Sequence, residues 1–149
     1  MHKTFAEHWL IKHLARDAAD LLYAVGDLLE VDQGEVLIEA DTPNHAMYLI
    51  LEGAFKVYLP DRPDRKHGAT LAHRGRGDLI GEYSFVDSFL PTARITASMP
   101  GLVLRISHDA MNRFLTEDPA VSAIVYRNML SYLVERLRAQ DEEIDSLMF

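Results

Sequence analysis

The sequence contains no cysteine among its 149 residues. This absence excludes disulfide bonds, thiol nucleophiles, iron–sulfur clusters and cysteine-based zinc sites. The chain also lacks a run of about 18 to 20 consecutive apolar residues, the length that a membrane-spanning helix requires. Its N-terminal segment is charged throughout and does not have the pattern of a signal peptide. We therefore expect a cytoplasmic protein that does not enter a membrane.

An excess of positive charge is also absent. The chain has 15 Lys and Arg against 23 Asp and Glu, a formal net charge of −8. Proteins that bind nucleic acid rely on a positive surface to neutralise phosphates. One basic patch, formed by Arg62, Arg65, Lys66 and His67, falls in a proline-rich turn, which we interpret as the solvated tip of a hairpin. We expect no nucleic-acid binding by this chain alone.

Apolar periodicity divides the chain into three parts, all within the size of one domain. The first part, residues 1–26, is predicted to contain one or two amphipathic helices, and the last part, residues 108–149, is predicted to be helical. Residues 27–107 alternate short strand patterns with turns. The apolar residues of the N-terminal part recur at steps of three or four: Phe5, Trp9, Leu10, Leu14, Ala18, Leu21 and Leu22.

The central part predicts an antiparallel barrel or jelly roll, because it contains many short strands separated by close turns. Strand patterns occur in LLEV, EVLIEAD, residues 47–51, residues 54–59, ARITAS and GLVLRIS. ATLAHRGRGDLIG contains another strand and a Gly-rich turn, and PDRPDRKHG has the composition of a hairpin loop. Ser107 and Asp118 are predicted to cap the two helices that follow, with Pro119 at the first position of the second. The predicted fold class is mainly β with flanking helices.

Three stretches in this order carry a family resemblance: GEVLIEADTPNHAMYLILEG, RGRGDLIGE, and GEYSFVDSFLPTARITA followed by SMPGLVLRIS. With them the chain resembles the cyclic nucleotide-binding domain, the β-roll shared by the bacterial catabolite activator protein and the regulatory subunits of cyclic-AMP-dependent protein kinase. The resemblance extends from about Leu21 to the C-terminus. One departure is Ala40-Asp41, where the family usually has Gly-Asp.

The resemblance implies a phosphate-binding cassette at residues 81–97. Glu82 matches a glutamate that accepts a hydrogen bond from the ribose 2′-hydroxyl in the family, and backbone N–H groups at the start of the short helix that follows face the cyclic phosphate. The candidate ligand-binding residues in and around the cassette are Gly81, Glu82, Tyr83, Ser84, Thr92, Ala93 and Arg94.

The cassette lacks the arginine that pairs with the phosphate in the family, because Pro91 occupies that position in an ungapped match. The loss of a charge-assisted bond of about 1.5–3 kcal/mol weakens binding by about ten- to a hundredfold. Arg94 is an alternative source of charge if it folds back beside Thr92. The other interpretation, which we favour, places Arg94 on the outer surface.

The last helix carries apolar residues in heptads, which predicts a two-stranded coiled coil and a homodimer. Its seam comprises Leu130, Leu133, Leu137, Gln140, Ile144 and Leu147. In the activator-type family the same helix covers the ligand, and the positions that reach the base correspond here to Gln140 and Asp141. The alternative is that this pair only interrupts the coiled coil. The family's helix-turn-helix domain would begin where the chain stops, so we expect no DNA recognition by that route.

Other kinds of site have weaker signals. His8 and His13 are five residues apart and so lie on different faces of a helix, and no His-x-His with a following glutamate indicates a cupin-like metal site. No serine lies in a Gly-x-Ser-x-Gly setting. We therefore expect no metal, no catalytic residues and no required cofactor.

Two functions remain open from the sequence. The first is a non-enzymatic sensor that binds a cyclic nucleotide, such as cyclic AMP or cyclic GMP, or a related anion, and signals through its C-terminal helix. The second is a roll that has lost its ligand and serves as a dimerisation or docking module for a protein partner. The missing arginine favours the second function, whereas Gly81, Glu82 and Thr92 favour the first.

Overall fold

The computed structural model describes residues 1–64 and 67–149, so Arg65 and Lys66 of the predicted basic patch lie outside the described residues. Its helices are α1 (Lys3–Ala6), a 3-10 helix (Trp9–Ile11), α2 (Arg16–Ala24), α3 (Glu82–Asp87), α4 (His108–Glu117) and α5 (Pro119–Met148). Its strands are β1 (Asp27–Val31), β2 (Val36–Ile38), β3 (Ala46–Glu52), β4 (Ala54–Leu59), β5 (Ala69–Gly75), β6 (Leu79–Ile80), β7 (Arg94–Ala97) and β8 (Gly101–Ser107).

The strands form two antiparallel sheets, in the orders β1-β8-β3-β6 and β2-β7-β4-β5. Strands that follow each other in the chain often belong to different sheets, since β1 pairs with β8 while β2 pairs with β7. The predicted hairpin between β4 and β5 is present. This arrangement is a jelly roll with flanking helices, so the predicted fold class is confirmed.

Strand β3 separates two apolar cores, because its successive side chains point to opposite faces of the sheet. Met47, Leu49 and Leu51 pack in the core beneath the helices. Tyr48 and Ile50 pack inside the roll instead. The uniformly apolar sequence of β3 therefore reflects burial on both faces.

The N-terminal part is more broken than the predicted one or two helices. The His8 side chain interrupts it by accepting from the backbone N–H of Leu10, while the His2 side chain caps the start of α1 by accepting from that of Thr4. His13 then takes a left-handed conformation with φ of 70°, and α2 starts only at Arg16. Local capping thus divides an apolar pattern that continues through the whole segment.

The two C-terminal helices begin at the predicted caps. The Ser107 side chain accepts from the N–H of Ala110, and the Asp118 side chain accepts from those of Ala120 and Val121. The first half of α5 is anchored to the roll, whereas its buried residues end at Tyr132. No helix in the described part of the chain is both long and apolar enough to cross a membrane.

Candidate ligand-binding site

Gly81 places the start of α3 tightly against β3. Its φ is 85°, and a Cβ atom added there would lie 2.4 Å from the backbone oxygen of Ala46. Only glycine combines this conformation with such a close approach at no steric cost. The carbonyl oxygen of Gly81 lies 3.2 Å from Nε2 of His108 on α4, so the cassette also contacts the helical layer.

Glu82 follows as the first residue of α3, and its side chain is only 5% exposed. Nη1 of Arg136, which lies on α5, donates to Oε1 of Glu82 across 3.3 Å. Burial raises the pKa of Glu82 to about 7, because the loss of solvation outweighs a backbone hydrogen bond and the positive charge of Arg74, which lower it. The glutamate therefore lies between the cassette and the last helix.

Tyr83 and Ser84 have different surroundings from Glu82. The Ser84 hydroxyl donates to the backbone oxygen of Phe89 at 3.1 Å, which closes the loop after α3. Tyr83 is largely exposed. Partial burial and the nearby Glu82 charge raise the pKa of its phenol. The structure thus gives Ser84 a role in shaping the cassette.

The far end of the cassette bonds to residues at the end of β2 and in the loop after it. Pro91 accepts a backbone hydrogen bond from Asp41 at 2.7 Å, Thr92 is exposed and Ala93 is half-buried. Arg94 precedes the buried Ile95 on β7 and points to the opposite face of the sheet. Its Nε donates to both carboxylate oxygens of Glu39, at 2.9 and 3.1 Å. This hydrogen bond lowers the pKa of Glu39.

The predicted base-contact residues lie about one helical turn beyond the residue of α5 that contacts the cassette. Gln140 and Asp141 are exposed on α5, whereas Arg136, one helical turn earlier, reaches Glu82. The sequence reasoning missed Arg136. Its spacing of four residues from Gln140 was the available signal, because residues four apart share a helix face.

A second group links the site to the N-terminal segment. The rings of Trp9 and Tyr132 stack at 4.2 Å between centroids with 9° between their planes. The Tyr132 hydroxyl lies 3.5 Å from Oδ1 of Asp78, and its pKa is raised by burial. Trp9 Nε1 and His8 Nε2 both bond the carbonyl oxygen of Gly77, at 2.9 and 2.8 Å. These contacts hold the turn before the cassette against α5.

The predicted dimer seam is largely solvent-exposed in the single chain. Leu130 is 62% exposed and Leu147 is 80% exposed, although Leu133 is partly covered. The other exposed members of the seam are Leu137, Gln140 and Ile144. Their apolar surface is available to another chain.

The histidines of the described chain do not gather into a metal site. Across residues 1–64 and 67–149, no three His, Cys, Asp or Glu side chains lie together as metal ligands. His8 is buried with Nε2 at the Gly77 carbonyl and Nδ1 at the N–H of Leu10. Its burial lowers the pKa of the imidazole to about 4, so it remains neutral near pH 7.

With the roll, the cassette and the covering helix in place, comparison with known proteins identifies the class. The family model of the cyclic nucleotide-binding domain matches residues 28–118, more than half of the chain. The chain belongs to the cyclic nucleotide-binding domain family.

Curated relatives carry a similar region within longer chains. The chain is similar to the Pycsar effector protein PaPycTIR of Pseudomonas aeruginosa, with 30% identity over 133 residues, covering 87% of this chain and 39% of the relative. It is also similar to glutaminase 1 of Bradyrhizobium diazoefficiens, with 26% identity over 148 residues, covering 98% of this chain and 23% of the relative. The chain therefore spans less than half the length of these two relatives.

Solved structures agree with the fold. The catabolite activator protein of Thermus thermophilus superposes with a TM-score of 0.76 at 25% identity, covering 95% of this chain and 63% of that chain. A cyclic nucleotide-binding domain from Methylobacillus flagellatus superposes with a TM-score of 0.83 at 24% identity, covering 96% of this chain and 79% of that one.

Proposed function

We propose that the chain is a non-enzymatic sensor that binds a cyclic nucleotide between the cassette and α5 and reports binding through that helix. The observation that carries this proposal is the contact between Glu82 and Arg136, 3.3 Å apart. A ribose hydroxyl that donates to Glu82 competes with Arg136 for the same carboxylate. Ligand binding therefore changes what holds α5 against the cassette.

The signal depends on a difference in affinity between two positions of the helix. The first half of α5 is attached to the N-terminal segment, where Asn128 Nδ2 donates to the backbone oxygens of Leu10 and Lys12. The exposed apolar seam, which extends from Leu130 to Leu147, is available for a homodimer. A change at Arg136 thus lies on the same stretch of α5 as the seam.

The relatives support a role in signalling. PaPycTIR is named an effector protein, and this chain resembles 39% of its length. By analogy, we propose that ligand binding to the roll controls the activity of another domain or of a partner protein. The roll itself binds the ligand and catalyses no reaction in this proposal.

Calorimetric titration with the 3′,5′-cyclic forms of AMP, GMP, CMP and UMP tests the proposal. We expect micromolar or tighter binding of at least one of them, and a loss of about ten- to a hundredfold in Glu82→Ala. Glu39→Ala is the matched control, because that carboxylate pairs with Arg94 on the outer side of the cassette. The absence of binding at millimolar ligand contradicts the sensor function.

A second function, a ligand-free docking module, is favoured by Pro91 at the position of the family's arginine. Its recognition surface would be the exposed apolar side chains of the cassette: Tyr83, Val86, Phe89 and Leu90. A chain that binds no cyclic nucleotide but still forms a homodimer supports this function instead.

A further inference from the structure

Arg74 on β5 directs its side chain to the inside of the roll. It is the register partner of Phe55 on β4, which is fully buried in the inner core. Directly paired residues of antiparallel strands place their side chains on the same face of the sheet. Leu71 and His73 occupy the alternate, outer positions of β5 and are exposed. The Arg74 side chain therefore projects from the inner face of the sheet, although β5 is an edge strand.

The positive charge of Arg74 acts at the cassette. The pKa values of Glu82, Tyr83 and Tyr132 are all raised, chiefly by burial. The positive charge of Arg74 acts on all three groups in the opposite direction and lowers their pKa values. Glu82 also contacts Arg136 from α5. Two guanidinium groups from different elements thus act on one buried glutamate, Arg136 through a direct contact and Arg74 through its charge.

Neither group belongs to the cassette itself. Within residues 81–97 the arginine position of the family is taken by Pro91, and Arg94 is paired with Glu39. Arg74 donates from Nη1 to the backbone oxygen of His73 at 3.0 Å. Because a guanidinium has five N–H donors, this bond leaves donors for an entering ligand.

We propose that Arg74 binds the phosphate of the ligand, in place of the arginine that the cassette lacks. This inference rests on the proposed function. Two carboxylates, Glu82 and Asp78, lie in the same region, so an entering anion requires cations that offset them. Arg74 is fixed to the sheet, whereas Arg136 belongs to α5. An anion held by both would join the helix to the roll.

The test compares Arg74→Gln with Arg94→Gln, its matched control on the outer face. Affinities are measured by calorimetry for the four 3′,5′-cyclic nucleotides above and for the neutral nucleosides adenosine and uridine. We expect Arg74→Gln to lower the affinity for every cyclic nucleotide that the unmodified chain binds, by a similar factor of about ten- to a hundredfold. The affinity for the nucleosides should not change. We expect Arg94→Gln to bind like the unmodified chain.

Three results overturn the inference. If Arg74→Gln binds cyclic nucleotides with unchanged affinity, Arg74 does not contact the phosphate, and the sensor function still stands. Losses that differ widely from base to base show that Arg74 recognises the base and not the anion. An unmodified chain that binds none of the four ligands overturns the sensor function and this inference with it. Thermal unfolding establishes that each variant is folded, and Arg74→Met supplies a second neutral side chain if the glutamine variant is not.

Discussion

Nη1 of Arg136 and Oε1 of Glu82 lie 3.3 Å apart, although 54 residues separate them in the chain. This contact connects the first residue of the cassette helix to the helix that carries the predicted dimer seam. The pKa of Glu82 is about 7, because burial outweighs the neighbouring positive charges. Its carboxyl group therefore changes protonation state near neutral pH.

We predict that ligand affinity rises with pH through this range. The ionised form of Glu82 is the acceptor for a ribose hydroxyl, and a pKa raised from 4.5 to about 7 leaves the protonated form dominant at pH 6. Affinity at pH 6 should be about tenfold lower than at pH 8. Calorimetry across these pH values measures the change.

Glu82→Gln is the control for this prediction, because an amide does not titrate. Its affinity should be nearly constant over the same range, at a lower level than that of the unmodified chain at pH 8. Equal affinities of the unmodified chain at pH 6 and pH 8 would contradict the role given to the carboxylate.

The close approach at Gly81 predicts a large effect for Gly81→Ala. Gly34 has a similar φ of 88° but no atom within 4 Å of an added Cβ, so Gly34→Ala reports the backbone strain alone. We expect Gly34→Ala to lower the free energy of unfolding by about 1–2 kcal/mol. Gly81→Ala should cost about 1–3 kcal/mol more, because its Cβ meets the carbonyl of Ala46. Urea denaturation measures the free energy of unfolding of both variants. Equal losses in the two variants would show that the backbone around Gly81 shifts to accommodate the added Cβ atom without cost.

Buried His8 predicts a pH-dependent stability at acidic pH. Its pKa falls from 6.5 in the unfolded chain to about 4 in the fold, so the unfolded chain binds the extra proton between these values. The stabilising contribution is complete above pH 6.5 and is lost as the pH falls towards 4, a change of about 3 kcal/mol.

The comparison with His8→Gln isolates this effect. Glu82 acts in the opposite direction, since its raised pKa makes its protonated form the favoured one in the fold. Both chains contain Glu82, so the difference between their unfolding free energies at pH 7 and pH 4 reports His8. A difference that does not change with pH would mean that His8 is protonated without cost.

The seam of α5 predicts a homodimer that Leu137→Asp dissociates. Leu137 is 58% exposed in the single chain, and a carboxylate at the centre of an apolar helix pair is buried without a partner. Analytical ultracentrifugation should show a dimer for the unmodified chain and a monomer for the variant. Ser131→Asp, an exposed position beside the seam, should remain dimeric. An unchanged sedimentation coefficient in Leu137→Asp would refute the seam.

Local features of the fold were accessible from the sequence. The caps at Ser107 and Asp118 and the turn residues between strands act over a few positions, and alternation within a strand depends on the strand alone. For the same reason the outward orientation of Arg94, opposite to Ile95, could be predicted from strand periodicity. The N-terminal helices were less predictable, because the His8 cap competes locally with a continuous apolar pattern.

The candidate site shows the limit of such reasoning. Gly81 and Glu82 were identified through a motif of adjacent residues, whereas Arg136 and Arg74 lie outside that motif. The sequence by itself determined most of the strands, the two C-terminal helix caps and the cassette motif, since neighbouring residues specify them, whereas the short β6 was missed. Only the tertiary structure decided that β1 pairs with β8 and that α5 brings Arg136 to Glu82. Contacts between distant residues depend on how both cores pack, and that packing involves the whole chain at once.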